Sequence, residues 1–152
     1  MTSARLLRLA ALSVLLSGCN VFSGDDRSGE LADRRRAWQA LHITDYAYDF
    51  ERLCFCGGPA GRTLRVVVRA NQIVSVTDVQ TGQPPEMMPS GWAMTIDSLF
   101  GELQVVASRD PDKMDLTFDK QFHFPARASI DRVKNAIDDE LVLNASNFVA
   151  AR

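Results

Sequence analysis

The sequence has almost no surplus of charge, very little histidine and no long apolar run. Its 152 residues carry 17 Lys and Arg against 19 Asp and Glu, a formal charge of −2. Binders of nucleic acid usually present a basic face and a strongly basic isoelectric point, whereas this pI is about 5.6, so no nucleic acid partner is expected. Only His42 and His123 could supply imidazole ligands or bases. No glycine-rich phosphate loop, nucleophile elbow or metalloprotease helix is present, so no catalytic residue, metal or cofactor is assigned and an enzyme is not the expected reading. The longest apolar stretch, Leu9 to Leu16 broken by Ser13, is far shorter than the roughly 20 residues a membrane-spanning helix needs.

What is present begins at the amino terminus. Arg5 and Arg8 precede that apolar stretch, and Ser17-Gly18 follow it, the layout of a bacterial secretory signal over residues 1–18. Leu16-Ser17-Gly18-Cys19 resembles the lipobox of bacterial lipoproteins, in which the cysteine thiol is acylated before cleavage on its amino side. Cys19 is therefore the expected lipidated first residue and the membrane the expected partner of its acyl chains. Asn20 follows where an aspartate would signal retention in the inner membrane, which favours the periplasmic face of the outer membrane if the cell has two. Cleavage removes Arg5 and Arg8 and no acid, leaving 15 basic against 19 acidic residues. Multiple acyl chains, at about 0.8 kcal/mol per buried methylene, suffice for anchoring. Residues 19–29, with Ser23, Gly24, Asp25, Asp26, Ser28 and Gly29, read as the lipidated end and a flexible tether.

Residues 30–152 form one domain. Leu31, Trp38 and Leu41 recur at helical spacing from Glu30 to His42, and the Arg34-Arg35-Arg36 run fills the solvated side, with Glu30 and Arg34 an i,i+4 pair. Tyr46, Tyr48 and Phe50 alternate with Ala47, Asp49 and Glu51. Leu53 and Phe55 take the other parity, which implies a bulge near Arg52. Leu64 to Val68 and Ile73 to Val79 are two strands turning at Asn71. Thr81 to Gly91, with Pro84, Pro85 and Pro89, is a long irregular loop. Thr95 caps a helix whose apolar stripe is Ile96, Leu99, Phe100, Leu103, Val106 and Ala107. Three more strands follow, at Met114 to Phe118, Ala126 to Asp131 and Leu141 towards Phe148. The expected fold is α+β, an antiparallel sheet with helices packed on one face in the order α-β-β-β-α-β-β-β. The two halves have comparable layouts but share no residue-level repeat.

Cys54 and Cys56 are the local feature with unusual chemistry. Same-face residues two apart in a strand have Cα atoms about 6.6 Å apart, at the long edge of what a disulfide tolerates. Three fates stay open in an oxidising compartment: an intrapair disulfide, two buried free thiols, or soft-metal binding and thiol exchange. Asp110, Asp112 and Asp115 lack the distal glutamate of a calcium loop. Asp131, Asp138, Asp139 and Glu140 read as solvated turn charges.

Taken together, Trp38, Asp45-Tyr46-Ala47-Tyr48, Cys54-Phe55-Cys56, Val66-Val67-Val68, Thr95-Ile96-Asp97-Ser98-Leu99-Phe100, Phe124-Pro125, Ile130-Asp131 and Asp139-Glu140 resemble a family of uncharacterised bacterial lipoproteins, a domain of unknown function. Ala70-Asn71 stands where the family has an acidic-glycine turn, and Gln121 to Phe124 lacks a glycine. The resemblance implies a secreted, lipid-anchored small domain and no reaction. The expected function is a non-enzymatic envelope lipoprotein that binds a protein or envelope component through the exposed sheet face or the Thr81 to Gly91 loop. The alternative is a redox or soft-metal protein using Cys54 and Cys56.

Overall fold

The computed structural model describes residues 24–151. The signal segment, the lipobox and Cys19 lie outside the described residues. The elements are α1 (Gly24–Ala40), β1 (Tyr46–Cys54), β2 (Thr63–Arg69), β3 (Gln72–Asp78), α2 (Ile96–Ala107), β4 (Lys113–Phe118), β5 (Pro125–Asp131) and β6 (Leu141–Ala150). This is the α+β order read from the sequence. All six strands join one antiparallel sheet in the order β3-β2-β1-β6-β5-β4, so the first and last strands meet at the centre. The comparable halves are not copies in space, because β1 is central while its counterpart β4 is an edge.

One sheet face is apolar and carries both helices. Tyr46, Tyr48 and Phe50 of β1, Val66 and Val68 of β2, Ala128 and Ile130 of β5, and Leu141, Leu143 and Ala145 of β6 form the core with Leu31 and Trp38 of α1 and the α2 stripe. The opposite face bears Asp49, Glu51, Arg65, Arg127 and Asn144. There Arg65 donates to Asp49 at 3.0 Å, Asn144 to Glu51 at 2.8 Å and Arg127 to Asn144 at 2.8 Å. Period-two alternation accounts for both faces.

Three details depart from the sequence reading. First, α1 starts at Gly24, so residues 24–29, placed in the tether, belong to the helix. The stretch contains no proline to interrupt a helix. Second, α1 ends at Ala40 and Leu41 lies outside the core at 39% exposure, because His42 turns the chain with φ +51°. Third, β1 keeps its parity through Arg52. The irregularity sits in β6, where Ala47 pairs with Val149 but Asp49 with Ser146. The extra residue is at Asn147, whose φ of +49° lets the strand bulge. The bulge reverses parity and turns Phe148 inward, against Trp38, Tyr46, Phe122 and Phe124.

The helices are bolted to β1 by its tyrosines. The Tyr46 hydroxyl accepts the Ile96 backbone N–H at 2.8 Å, and the Tyr48 hydroxyl donates to the Met94 carbonyl. Thr95 caps α2 by accepting from the Ser98 N–H at 3.1 Å, and Asp97 accepts from the Trp38 indole N–H at 3.3 Å, which ties α1 to α2. Burial pushes the Tyr46 hydroxyl up to about 12, the Ile96 N–H working against that rise and the Asp97 charge adding to it. Tyr48 is also raised, chiefly by burial.

Two predictions follow from these contacts. The native state holds the Tyr46 proton more tightly than the unfolded chain, whose tyrosines titrate near 10. The stability this brings is complete below about pH 10 and disappears as pH rises through the folded value of about 12. Tyr46→Phe should lower stability at pH 7 by about 1–3 kcal/mol, by orphaning the Ile96 N–H, and should lose less on going from pH 10 to pH 12, as read from urea midpoints. The β2–β3 turn places Ala70 at φ +47° and Asn71 at φ +61°, and left-handed backbone is costly for alanine. Ala70→Gly should raise stability by about 1 kcal/mol in the same assay.

Candidate functional site

Strand direction gives the sheet two unlike ends. One carries the α1–β1 connection, the β2–β3 turn and the β4–β5 turn. The other carries the loops β1–β2, β3–α2, α2–β4 and β5–β6, and is the loop end. Cys54 closes β1 opposite Leu141, at the loop end, and Cys56 follows in the turn. Their sulfurs lie at disulfide-bonding distance, with Cα atoms 5.3 Å apart. That separation is shorter than an extended strand gives, because the chain leaves the sheet directly after Cys54.

The turn beyond the cysteines is held by its backbone and by glycine. Gly61 N–H donates to the Arg52 carbonyl at 2.9 Å, and Arg62 N–H to the Pro59 carbonyl at 3.1 Å. Gly58 has φ +78°, and a Cβ there would stand 2.9 Å from Pro89 Cδ and 3.2 Å from the Trp92 ring. The glycine thus lets the cysteine turn seat against the β3–α2 loop. Trp92 is buried and the Arg52 guanidinium lies 5.0 Å from its ring centre. Burial lowers the Arg52 pKa, the Glu102 charge opposing that and the Arg132 charge adding to it. Arg52 Nε and one terminal nitrogen are buried without a protein partner.

The start of the β3–α2 loop is organised by Asp78, only 2% exposed. Its carboxylate accepts the N–H groups of Gln80 at 2.8 Å and Thr81 at 3.3 Å, and Arg62 pairs with it at 3.0 Å. A cleft of about 550 Å³ lies between the two loops, lined by Gly58, Pro59, Arg62, Pro84, Pro85 and Met87 among others. A second hollow of about 410 Å³ is lined by Leu53, Cys54, Phe55, Gly61, Glu140 and Val142. Phe55 is 81% exposed and Ile137 of the β5–β6 loop 87%. Leu53, Val79, Met87, Met88 and Val133 at the same end are exposed as well.

The sequence candidates therefore divide. The cysteine pair and the Thr81 to Gly91 loop, separate in the chain, meet at the loop end. His42 and His123 lie at the other end, His42 beside Asn71 and Asp97 and His123 beside Asp26 and Asp33 of α1. Neither adds a nitrogen ligand to the thiols. Among the described residues no group of three or more His, Cys, Asp or Glu is placed to hold a metal ion. Asp139 is occupied in its own turn, accepting the Val133 N–H at 2.7 Å. Sequence reasoning missed Arg52, Asp78 and Trp92. For Asp78 the signal was an acid closing an apolar strand just before turn residues; for Arg52 and Trp92 there was none, because their contact is non-local.

Gly58→Ala tests the seating of the two loops. The variant should lose about 1–3 kcal/mol through its positive φ and the contact with Pro89, and Trp92 should become more accessible to an aqueous fluorescence quencher while Trp38, at the other end, stays shielded.

No curated protein and no solved structure matches the chain. A family of unknown function, DUF6174, matches residues 30–150. That span runs from α1 to the end of β6 and contains the tyrosine bolts, the capped helix and the cysteine turn, and the chain belongs to this family.

Proposed function

We propose that the protein is a bacterial lipoprotein of the cell envelope, anchored through acylated Cys19, whose domain is a non-enzymatic binding module for an envelope protein. The observation that carries the reading is the charged, apolar and small-residue order that ends in Leu16-Ser17-Gly18-Cys19. The loop end supports the binding half. Three of the loops there carry exposed apolar side chains, among them Phe55, Met87 and Ile137, and the β1–β2 loop is packed on the β3–α2 loop. Preorganised loops of this kind bind with less ordering entropy to overcome than free ones. An aromatic side chain left exposed among neutral contacts is the usual form of an interface anchor.

A second reading is favoured by one observation, the approach of Cys54 and Cys56 in a turn that leaves Cys56 exposed. Thiol exchange there would pass the pair's two electrons and two protons to a disulfide-containing partner, oxidising the dithiol to the disulfide.

Intact mass of protein purified from bacterial membranes separates these readings. The expected species begins at Cys19, carries acyl chains and is two hydrogens lighter than the dithiol, with Cys54 and Cys56 inert to alkylation. Cys19→Ser should abolish acylation and release the domain from the membrane. Thiols that alkylate without denaturation, or that take up copper or zinc, would favour the second reading. An uncleaved, unacylated chain would overturn the first.

A further inference from the structure

The two edges of the sheet are finished differently. At β3 the pairing runs from Val67 with Ser75 to Val68 with Ile73, which leaves Val74 as a bulged extra residue, and the Gln83 carbonyl takes the Asp78 N–H at 2.8 Å. A bulge and a loop laid along the strand are usual guards against a further strand. β4 has neither. The irregularity between β4 and β5 adds its extra residue, Ala126, to β5, so β4 stays regular from Lys113 to Phe118 and contains no proline or glycine. Which backbone groups of β4 are open follows from Pro125. It has no N–H, so its pairing with Phe118 is a non-hydrogen-bonded one and the N–H and C=O of Phe118 point away from β5. Alternation sends those of Met114 and Leu116 the same way, and among the described residues no strand lies beyond them. Leu116 and Phe118 are only half-buried on the core face, while Lys113, Asp115 and Thr117 are exposed on the other.

We infer that the β4 edge pairs with the β4 edge of a second copy of this chain, antiparallel about a two-fold axis at Leu116, and joins two sheets into one. That register sets Leu116 opposite its own copy and Met114 opposite Phe118, and each pair exchanges both backbone hydrogen bonds. On the open face Lys113 meets Asp119 of the copy and Asp115 meets Thr117, each twice by symmetry. Asp119 uses one carboxylate oxygen for the Gln121 and Phe122 N–H groups, at 2.8 and 2.6 Å, and has the other for the lysine. On the core face the half-buried Leu116 and Phe118 are covered by Leu116 and Met114 of the copy. Neighbouring registers fit less well. An axis at Asp115 sets that acid against itself, and like charges directly opposite are destabilising. An axis at Met114 sets Phe118 against Asp110, outside the strand at φ +50°. Charges that usually guard an edge therefore select one pairing here. The pairing stands apart from the reading of Cys19 as an anchor and uses none of the loop end.

The test uses the full chain expressed in bacteria. Asp115→Cys and Thr117→Cys chains with different tags are made together and oxidised in isolated membranes. The expected product joins one chain of each kind, in excess of either chain joined to itself, and Ser75→Cys on the β3 edge joins no second chain. Sedimentation equilibrium of the purified chain in detergent then reads the affinity. Thr117→Asp, facing Asp115 of the copy, should raise the dimer Kd about threefold or more, and Thr117→Lys should lower it by about as much. Within one chain residue 117 faces Arg127, so an effect on folding alone would run the other way for both variants. A chain that sediments as a monomer and gives no cross-link would overturn the inference. Asp115→Cys joined chiefly to itself would overturn the register, and a product through Ser75→Cys would move the contact to β3. Asp115→Cys joined to a different protein, with no chain-to-chain product, would assign the edge to that protein's strand and not to a second copy.

Discussion

The hydrogen bond from the Ile96 N–H to the Tyr46 hydroxyl is the contact on which the rest of the fold turns. A helix begins with unpaired N–H groups, and here the first of them is satisfied by a side chain of the central strand, not by water. The same two residues link every layer. Tyr46 stacks edge-on with Trp38 of α1 at 5.6 Å, Trp38 donates to Asp97 of α2, and Ile96 is itself fully buried. Sheet, first helix and second helix thus share one junction of three side chains and one backbone amide. The segments that carry the family resemblance, Asp45-Tyr46-Ala47-Tyr48 and Thr95-Ile96-Asp97-Ser98-Leu99-Phe100, meet at this junction. Their contacts keep the fold in register.

A second constraint operates on the open face. The bulge at Asn147 brings Phe148 into the aromatic cluster, but it also frees a carbonyl and an amide on the polar side. Arg65 donates to the Asn147 carbonyl at 2.9 Å, and the Asn147 side chain donates to Asp49 at 2.7 Å. Asp49 is nearly buried and is satisfied by both. One irregular residue therefore completes the core on one face and, on the other, hydrogen-bonds a buried carboxylate whose charge Arg65 pairs, which explains how an edge-like kink is tolerated beside the central strand.

Most of the architecture was legible because local patterns decide it. The alternation of Tyr46, Tyr48 and Phe50 marks a half-buried strand, and Thr95 with the Ile96, Leu99, Phe100 and Leu103 stripe marks a capped helix. The misreadings share a cause. Leu41 fits the apolar spacing of α1, yet the helix stops one residue earlier; Leu53 breaks the inward parity, yet the strand stays regular and simply exposes it. Whether an apolar residue is buried depends on what lies above it, and a single strand carries no such information. The candidate site shows the same division. The cysteine pair is visible as a local spacing, whereas the seating of Gly58 on Pro89 and Trp92 joins loops more than thirty residues apart.

The strand order carries a consequence for the life of the chain before it is folded. Because β1 pairs with β6, the central hydrogen-bond ladder of the sheet joins residues near positions 50 and 145, and β1 keeps one open edge until the carboxy-terminal strand arrives. Such a topology is slow to close and does not complete from a growing amino-terminal fragment. The centre of the sheet therefore closes only once β6, its last strand, is available to pair with β1.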